Sequence, residues 1–592
     1  MAVLAAGLYV LLEPVANLNP ALSGFHLRGH TLALPNPGER GPLTVTSFTY
    51  GSGKDARRPE YGKLARLITR SVDGSKIYPL WSGLRGALRT RYWGFDAAHM
   101  PLQGQVWLPR GAGPFPLVLI VHGNHAMGKP SEAGYAYLGE HLASQGFILV
   151  SVDENFLNSG VADALSDPRE STDAKEIPAR AWLLLEHLKQ WRDWAADAGS
   201  PVYGRVDMDR IALIGHSRGG EAVVLANQFN DLDAFPDDAA VPFDFHFHLR
   251  AIAAIAPCEC TDKLHSARVK LRDQNYFVMA GSRDGDNGTS FRGEAQYSRV
   301  NFSGAVDAFK ASIYIKDANH GQFNSVWGRN DSGGAYGFAT QQRQILAGSA
   351  QRQIATVYLT AFLDVTLKAQ TGYHALFEDP RNGAGWLPDD FIVSNYADGR
   401  TRWLVNYEED ADPATGSDPN VRIEGADLSI WREGDPDLKL SKLGSRVAIV
   451  GWDDRTDPAH NASYRIAFRD PARVSPDTDL VFGASQIEIV SEDRTAVDWT
   501  IILTDASGQT AHLPLSHDQL LYPQVIGATH RAGMIDEQHS ELVMRRYRYG
   551  LRDFLAVNPS LDLERLVEIR FAFDRSARGT IALDDVGFAP RS

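Results

Sequence analysis

Residues 210–227, RIALIGHSRGGEAVVLAN, constrain this 592-residue chain more than any other stretch. An apolar run meets Gly215-His216-Ser217-Arg218-Gly219, and helical spacing follows at once. A serine between two glycines at such a junction reads as a sharp strand-to-helix turn. Small residues two before and two after it let the helix pass close to the strand. The turn exposes the hydroxyl at the end of the strand, and the helix N-terminus favours negative charge developing there. A glycine-rich turn capped by a serine is the competing reading, and the strand-before, helix-after setting favours the nucleophile.

The surroundings repeat the strand–helix alternation, which is the signature of a mostly parallel sheet flanked by helices. Residues 116–121 (PLVLIV) are continuously apolar, as in a strand buried on both faces. A helix is expected over 131–145, opened by Ser131 and closed by Gly146, then a strand over 147–152 and a helix over 182–194. Further strands are expected at 251–256, 276–280 and 312–315, with a closing helix over 351–368. Residues 43–50 and 104–108 alternate apolar and polar, as antiparallel strands on one edge would. Residues 61–72 read equally as helix or loop.

A serine hydroxyl needs a base, and His320 in KDANHGQFN stands directly after an expected strand. The imidazole needs an orienting carboxylate between Ser217 and His320. Strand YFVMA ends in GSRDGDNG, offering Asp284 and Asp286, and Asp284 is preferred because Gly-x-x-Asp after a strand is the commoner arrangement. Two backbone N–H groups should form an oxyanion hole, one from Arg218 and one from Asn124 in the loop His122-Gly123-Asn124-His125. Of the other histidines, His246 and His248 read as structural, and His216 should point away from the site.

With these residues the chain resembles the α/β-hydrolase superfamily. It is nearest the group of platelet-activating-factor acetylhydrolase-like enzymes, chlorophyllases and bacterial cutinase-like polyester hydrolases. The resemblance rests on LTVTSFTYGSG, VWLPRGAGPFPLVLIVHGNH, IALIGHSRGG, VMAGSRDGD and ANHGQF, across about residues 40–370. It implies carboxylic-ester hydrolysis through an acyl-enzyme, without metal or cofactor, on a small-molecule or polymeric ester. Two features depart from the group: Arg218 follows the nucleophile, with Glu221 as an expected ion-pair partner, and the 153–178 connection is long and polar. The same triad would serve a peptidase or amidase, and a non-catalytic binding protein could keep the fold; an intact Ser217, Asp284 and His320 set speaks against the latter.

Past residue 385 the pattern changes to short alternating strands between Asp, Gly, Pro and Asn turns, as in an all-β sandwich. The expected division is a 1–40 extension, a 41–384 α/β-hydrolase domain and a 385–592 β-sandwich. The tail resembles jelly rolls of the carbohydrate-binding type, so sugar binding or a purely structural role is expected there. No catalytic group is expected downstream, so a chain ended near Pro380 should still cleave short esters. The acidic stretch 408–420 reads as a solvated loop with calcium as an option. A net charge of −14 without a basic cluster argues against nucleic acid. Only Cys258 and Cys260 are present, and they read as packed or idle thiols rather than as a metal site recruiting His265. The apolar run 2–12 is too short for a spanning helix but could lie at a membrane, so an extracytoplasmic or membrane-tethered location is preferred to the cytoplasm.

Overall fold

A computed structural model describes residues 18–158, 176–260, 268–304, 306–331, 344–454, 461–487, 494–527 and 540–591. The sheet that carries the elbow has ten strands: β1 (Val45–Gly51), β2 (Leu67–Ile68), β3 (Gly104–Pro109), β4 (Phe115–Val121), β5 (Ile148–Val152), β6 (Val206–His216), β7 (Leu249–Ile255), β8 (Asn275–Gly281), β9 (Phe309–Ile315) and β10 (Ile392–Asp398). Their order is β10-β9-β8-β7-β6-β4-β5-β3-β1-β2. The six strands from β9 to β5 run parallel, and β10, β3 and β1 add antiparallel neighbours at the edges.

Continuous apolar strands follow from cover on both faces. In β4, Leu117, Leu119 and Val121 face one core, while Val118 and Ile120 face the other. The first core is closed by α3 (Ile177–Ala196) and α4 (Arg218–Asn230), through residues such as Leu184, Trp191 and Phe229. The second is closed by α2 (Ala136–Ser144) and α5 (Gly348–Lys368), through Leu142, Ile354 and Phe362. The reading of 43–50 and 104–108 as an antiparallel edge matches β1 and β3. Residues 61–72 supply β2 and a second short strand, Ser71–Val72, and α1 (Gly83–Trp93) is a helix that the sequence pattern did not reveal.

Beyond the ten-stranded sheet, a six-stranded and a five-stranded sheet share one apolar core that includes Phe482, Trp499, Tyr547 and Phe571. The division expected at 384/385 moves: β10 pairs with β9 from Phe309↔Asp398 to Ile315↔Ile392, so the first sheet ends only at Asp398. The sequence reading missed this because an antiparallel edge strand carries the same alternation as the sandwich strands after it. The described part of the N-terminal extension, from residue 18, is not separate either. Asn19 exchanges hydrogen bonds with Ile526 in both directions (3.0 and 2.8 Å), and Phe25 packs edge-on against Phe391 and Tyr522. The apolar run 2–12 lies outside the described residues, and no helix among the described residues is long and apolar enough to cross a membrane.

Candidate active site

The elbow forms where β6 ends. Ser217 is the N-cap of α4 with φ 59 and ψ −125, a region that costs a non-glycine residue about 1–3 kcal/mol and is held only by its surroundings. Both motif glycines are required by close backbone approach. A Cβ on Gly215 would lie 1.9 Å from the Gly219 carbonyl oxygen, and one on Gly219 would lie 2.6 Å from that of Val121. The strand and helix therefore touch backbone to backbone, and Ser217, 2% exposed, sits at their junction. Its N–H donates to the Ile255 carbonyl at 2.9 Å, which ties the elbow to β7.

His320 follows β9, and its Nδ1 lies 2.9 Å from Asp284 Oδ2 with both side chains buried. Asp286 approaches the opposite nitrogen, Nε2, at 3.5 Å, and its side chain is 53% exposed. The two acids weighed from the sequence thus face different nitrogens of one ring. His320 Nε2 is buried and has no hydrogen-bond partner among the described residues. Burial opposes the charged imidazole, but Asp284 and then Asp286 outweigh it and hold the pKa up to about 10. The Asp284 carboxylate is oriented in turn by Asn287, whose backbone N–H donates to Oδ1 (2.9 Å) and whose side chain donates to Oδ2 (3.0 Å).

Asp331 joins the loop of His320 to the loop of Asp284, and no sequence signal pointed to it. Its Oδ2 accepts from the N–H groups of His320 (2.9 Å) and Gly285 (3.0 Å), and its Oδ1 from Gly321 N–H and the Asn319 amide (both 2.8 Å). Burial raises its pKa to about 6, against the pull of His320. It lies in a polar loop, eleven positions beyond His320, where no spacing rule marks a carboxylate as special. Trp327 was missed as well. Its ring lies parallel to His320 at 6.0 Å between centroids, stacks on His125 at 5.5 Å, and donates its indole N–H to Ser131 Oγ at 3.0 Å.

His216, expected from the sequence to point away from the site, instead lies against His320. It is fully buried, with its ring 5.0 Å from that of His320, and it bonds Tyr135 OH (3.0 Å) and the His320 carbonyl (3.2 Å). Burial drives its pKa well down, so it packs as a neutral ring. His246 and His248 are exposed on an irregular segment whose buried members are Phe243, Phe245 and Phe247.

Of the residues expected to form the oxyanion hole, Arg218 follows Ser217 in the chain and Asn124 follows Gly123, which lies against Ser217. A Cβ on Gly123 would stand 2.5 Å from Ser217 Cβ, so the His122–Asn124 turn crosses directly over the serine. The turn is braced from behind. The buried His122 pairs its Nδ1 with the Gly123 carbonyl (2.8 Å), and its Nε2 accepts the Glu154 N–H (3.1 Å). Below it, the Arg58 guanidinium bridges Glu132 and Asp153, supplying the positive charge between two buried carboxylates that, with His122, cluster closely enough to suggest a cation. Arg218 pairs with Glu176 at 2.6 Å rather than with the expected Glu221. Glu221 instead accepts the Cys260 N–H at 2.7 Å. Cys258 and Cys260 are not idle thiols: they are joined as a disulfide. His265 and most of the 153–178 connection lie outside the described residues. The carboxylates of Asp410 and Asp412 accept from N–H and hydroxyl groups of their own loop.

Comparison with known proteins converges on this region. A family model described as Chlorophyllase matches residues 96–263, which hold the His122–Asn124 turn and the elbow. Cutinase 2 of Thermobifida cellulosilytica is 30% identical over 132 residues, covering 22% of this chain and 42% of that protein. Cutinase cut1 of Thermobifida fusca matches at 30% over 22% of this chain and 34% of its own length. Cutinase est1 of Thermobifida alba matches at 30% over 22% and 37%. The chain thus spans less than half the length of these relatives. The region around the elbow is thus similar to chlorophyllases and to cutinases over part of their length, which supports an α/β-hydrolase of that kind.

Proposed function

We propose that this protein is a serine hydrolase that cleaves carboxylic esters through an acyl-enzyme, with Ser217 as nucleophile, His320 as base and Asp284 as the orienting acid. The observation that carries the reading is the pairing of His320 Nδ1 with the buried Asp284 while Nε2 is left without a hydrogen bond, on the loop that packs over His216 next to Ser217. In the reaction, Ser217 Oγ bonds to the ester carbonyl carbon and its proton passes to His320 Nε2. The negative oxygen so formed is met by the N–H groups of Arg218 and Asn124, and His320 returns the proton to the departing alcohol. Water then repeats the cycle on the acyl-enzyme and frees the acid. Asp284 fixes the tautomer that leaves Nε2 able to accept.

Relatives named cutinases support an ester, and an extended or polymeric one is the finer reading. The C-terminal sandwich, with its jelly-roll-like resemblance, is read as structural rather than sugar-binding. The outer face of its five-stranded sheet carries Arg465 paired with Glu424 and Glu568, which suits a solvated surface better than a sugar-stacking platform. The disulfide favours an oxidising, extracytoplasmic setting. The test is labelling with a fluorophosphonate probe and turnover on p-nitrophenyl esters and anilides, with Ser217→Ala expected to abolish labelling and to lower turnover by about 10⁴–10⁶. Retained turnover in that variant refutes the mechanism, and anilides cleaved faster than esters would make the enzyme an amidase.

A further inference from the structure

The loop that presents Asp284 has two sides. Its inner side meets His320, and its outer side is gripped by three separate segments of the C-terminal β region. Gly527 lies so close that a Cβ there would stand 1.8 Å from the Ser282 carbonyl oxygen. The Gly527 carbonyl accepts the Thr289 hydroxyl at 3.1 Å and the Lys439 ammonium at 3.2 Å. Lys439 also donates to Thr289 Oγ1, so the three groups form a closed triangle. Glu541, 1% exposed, accepts the Phe291 N–H at 2.7 Å through one oxygen and the Lys439 N–H at 3.0 Å through the other. Behind the triangle, the paired hydrogen bonds of Asn19 hold Ile526, the neighbour of Gly527.

The grip reaches the acid by short covalent and hydrogen-bonded steps. The Thr289 N–H donates to the Asp284 carbonyl at 2.6 Å, and Asn287, two residues before Thr289, holds both Asp284 carboxylate oxygens. Thr289 is itself 1% exposed, so its position is set by the partners named here and by nothing in solvent. We propose that the C-terminal β region is a positioning element of the triad, with Lys439, Gly527 and Glu541 clamping residues 284–291 from outside so that the Asp284 carboxylate stays on His320 Nδ1. The proposal rests on the triad reading above. It assigns the region a role inside the reaction, where the sequence suggested a detachable module.

The test uses the full-length chain. Lys439→Met removes the ammonium and keeps the stem, and Thr289→Val removes the hydroxyl and keeps the volume. A displaced acid costs kcat while leaving ester binding alone, so each variant should lose about ten- to hundredfold in kcat on p-nitrophenyl acetate, with KM within about twofold. The double variant should be little worse than either single one, because both cut the same link. The acid limb of kcat/KM reports the protonation of His320, whose charged and titratable neighbours are Asp284, Asp286, Asp331, His216 and His125. Moving Asp284 away removes the largest influence raising that pKa, so the limb should move to lower pH. Lys439→Arg, which can still bridge, should recover most of kcat. Arg381→Met, which cuts the hydrogen bond to the Asp518 carbonyl at the same interdomain boundary, should lower thermal stability and leave kcat and the pH profile unchanged. Wild-type kcat and pH limb in Lys439→Met and Thr289→Val overturn the clamp while leaving the triad standing. An equal kcat loss in Arg381→Met also overturns it, by showing a general stability effect. Probe labelling that survives Ser217→Ala instead refutes the triad, and the clamp with it.

Discussion

Asp284 and Asp286 stand two residues apart and face opposite nitrogens of His320, so replacing each by Asn should give qualitatively different enzymes. Asp284 lies buried on Nδ1 at 2.9 Å. As an amide it can present N–H to that nitrogen, which favours the tautomer with its proton on Nε2 and leaves no acceptor for the serine proton. Loss of the orienting acid in such triads costs about 10⁴ in kcat, equivalent to about 5.5 kcal/mol of transition-state stabilisation. Asp286 faces Nε2 at 3.5 Å and is 53% exposed, so its field is screened. At a water-like dielectric, opposite charges at that separation attract by about 1 kcal/mol, which is a little under one pH unit. This attraction favours the imidazolium, so its removal lowers the His320 pKa. The acid limb of kcat/KM, which requires the neutral base, should move down by about one pH unit in Asp286→Asn while the plateau stays near wild type. Full pH profiles on one short ester, with both variants checked for folding by circular dichroism, decide the matter. A flattened plateau in Asp286→Asn together with near-normal turnover in Asp284→Asn would reverse the assignment of the acid and refute the geometry as read here.

Asp331→Asn keeps one oxygen and places an amide against two of four donors; a stranded buried donor costs about 1–3 kcal/mol, so the melting temperature and kcat should both fall, measured by calorimetry and ester turnover. Unchanged kcat in that variant would show that the bond between the base and acid loops is dispensable. EDTA should leave activity intact, since every proposed step is carried by Ser217, His320, Asp284 and backbone N–H groups; loss on chelation with recovery on adding zinc or calcium contradicts that division. A chain ended at Pro380, expected from the sequence to keep activity on short esters, lacks β10 and all three clamping segments. It should instead be insoluble or inactive, checked by yield and probe labelling of the truncated protein.

How much of this was legible in the sequence depends on the range of each interaction. The elbow was legible because part of its requirement is local: Gly215 is needed by the very helix that follows it, whereas Gly219 is needed by the carbonyls of Val121 and His122 at the end of the neighbouring strand. His320 and Asp284 were legible as positions after strands, because a parallel sheet delivers successive strand ends to one edge. The choice between Asp284 and Asp286 was only a preference, since two residues of loop place their carboxylates on different nitrogens and no periodicity governs a loop. Asp331 and Trp327 were invisible, since each contributes through backbone and ring contacts that any polar loop or apolar stretch could hold. Arg218 was legible as a departure from its group but not in its partner. Glu176 lies 42 positions away and wins over Glu221, whose carboxylate caps the Cys260 N–H.

The boundary drawn at 384/385 missed β10 for a related reason. Hydropathy marks where strands begin and end, but it does not record which sheet a strand joins, and β10 has the alternation of the sandwich but pairs with β9 of the ten-stranded sheet. The same blindness hid the relation between the C-terminal region and the acid loop. Contacts such as Thr289 to Gly527 and Phe291 to Glu541 span 238 and 250 residues, far beyond the reach of any local pattern. Glycine at 527 is demanded by a carbonyl in the other half of the chain, and Glu541 is buried in order to cap an N–H there. A freely exchangeable binding module would have no use for either. Buried polar groups kept in place only by the opposite domain, at substantial desolvation cost, are what one expects when two regions fold as one unit. That is the physical reason for placing the C-terminal region inside the catalytic apparatus rather than beside it.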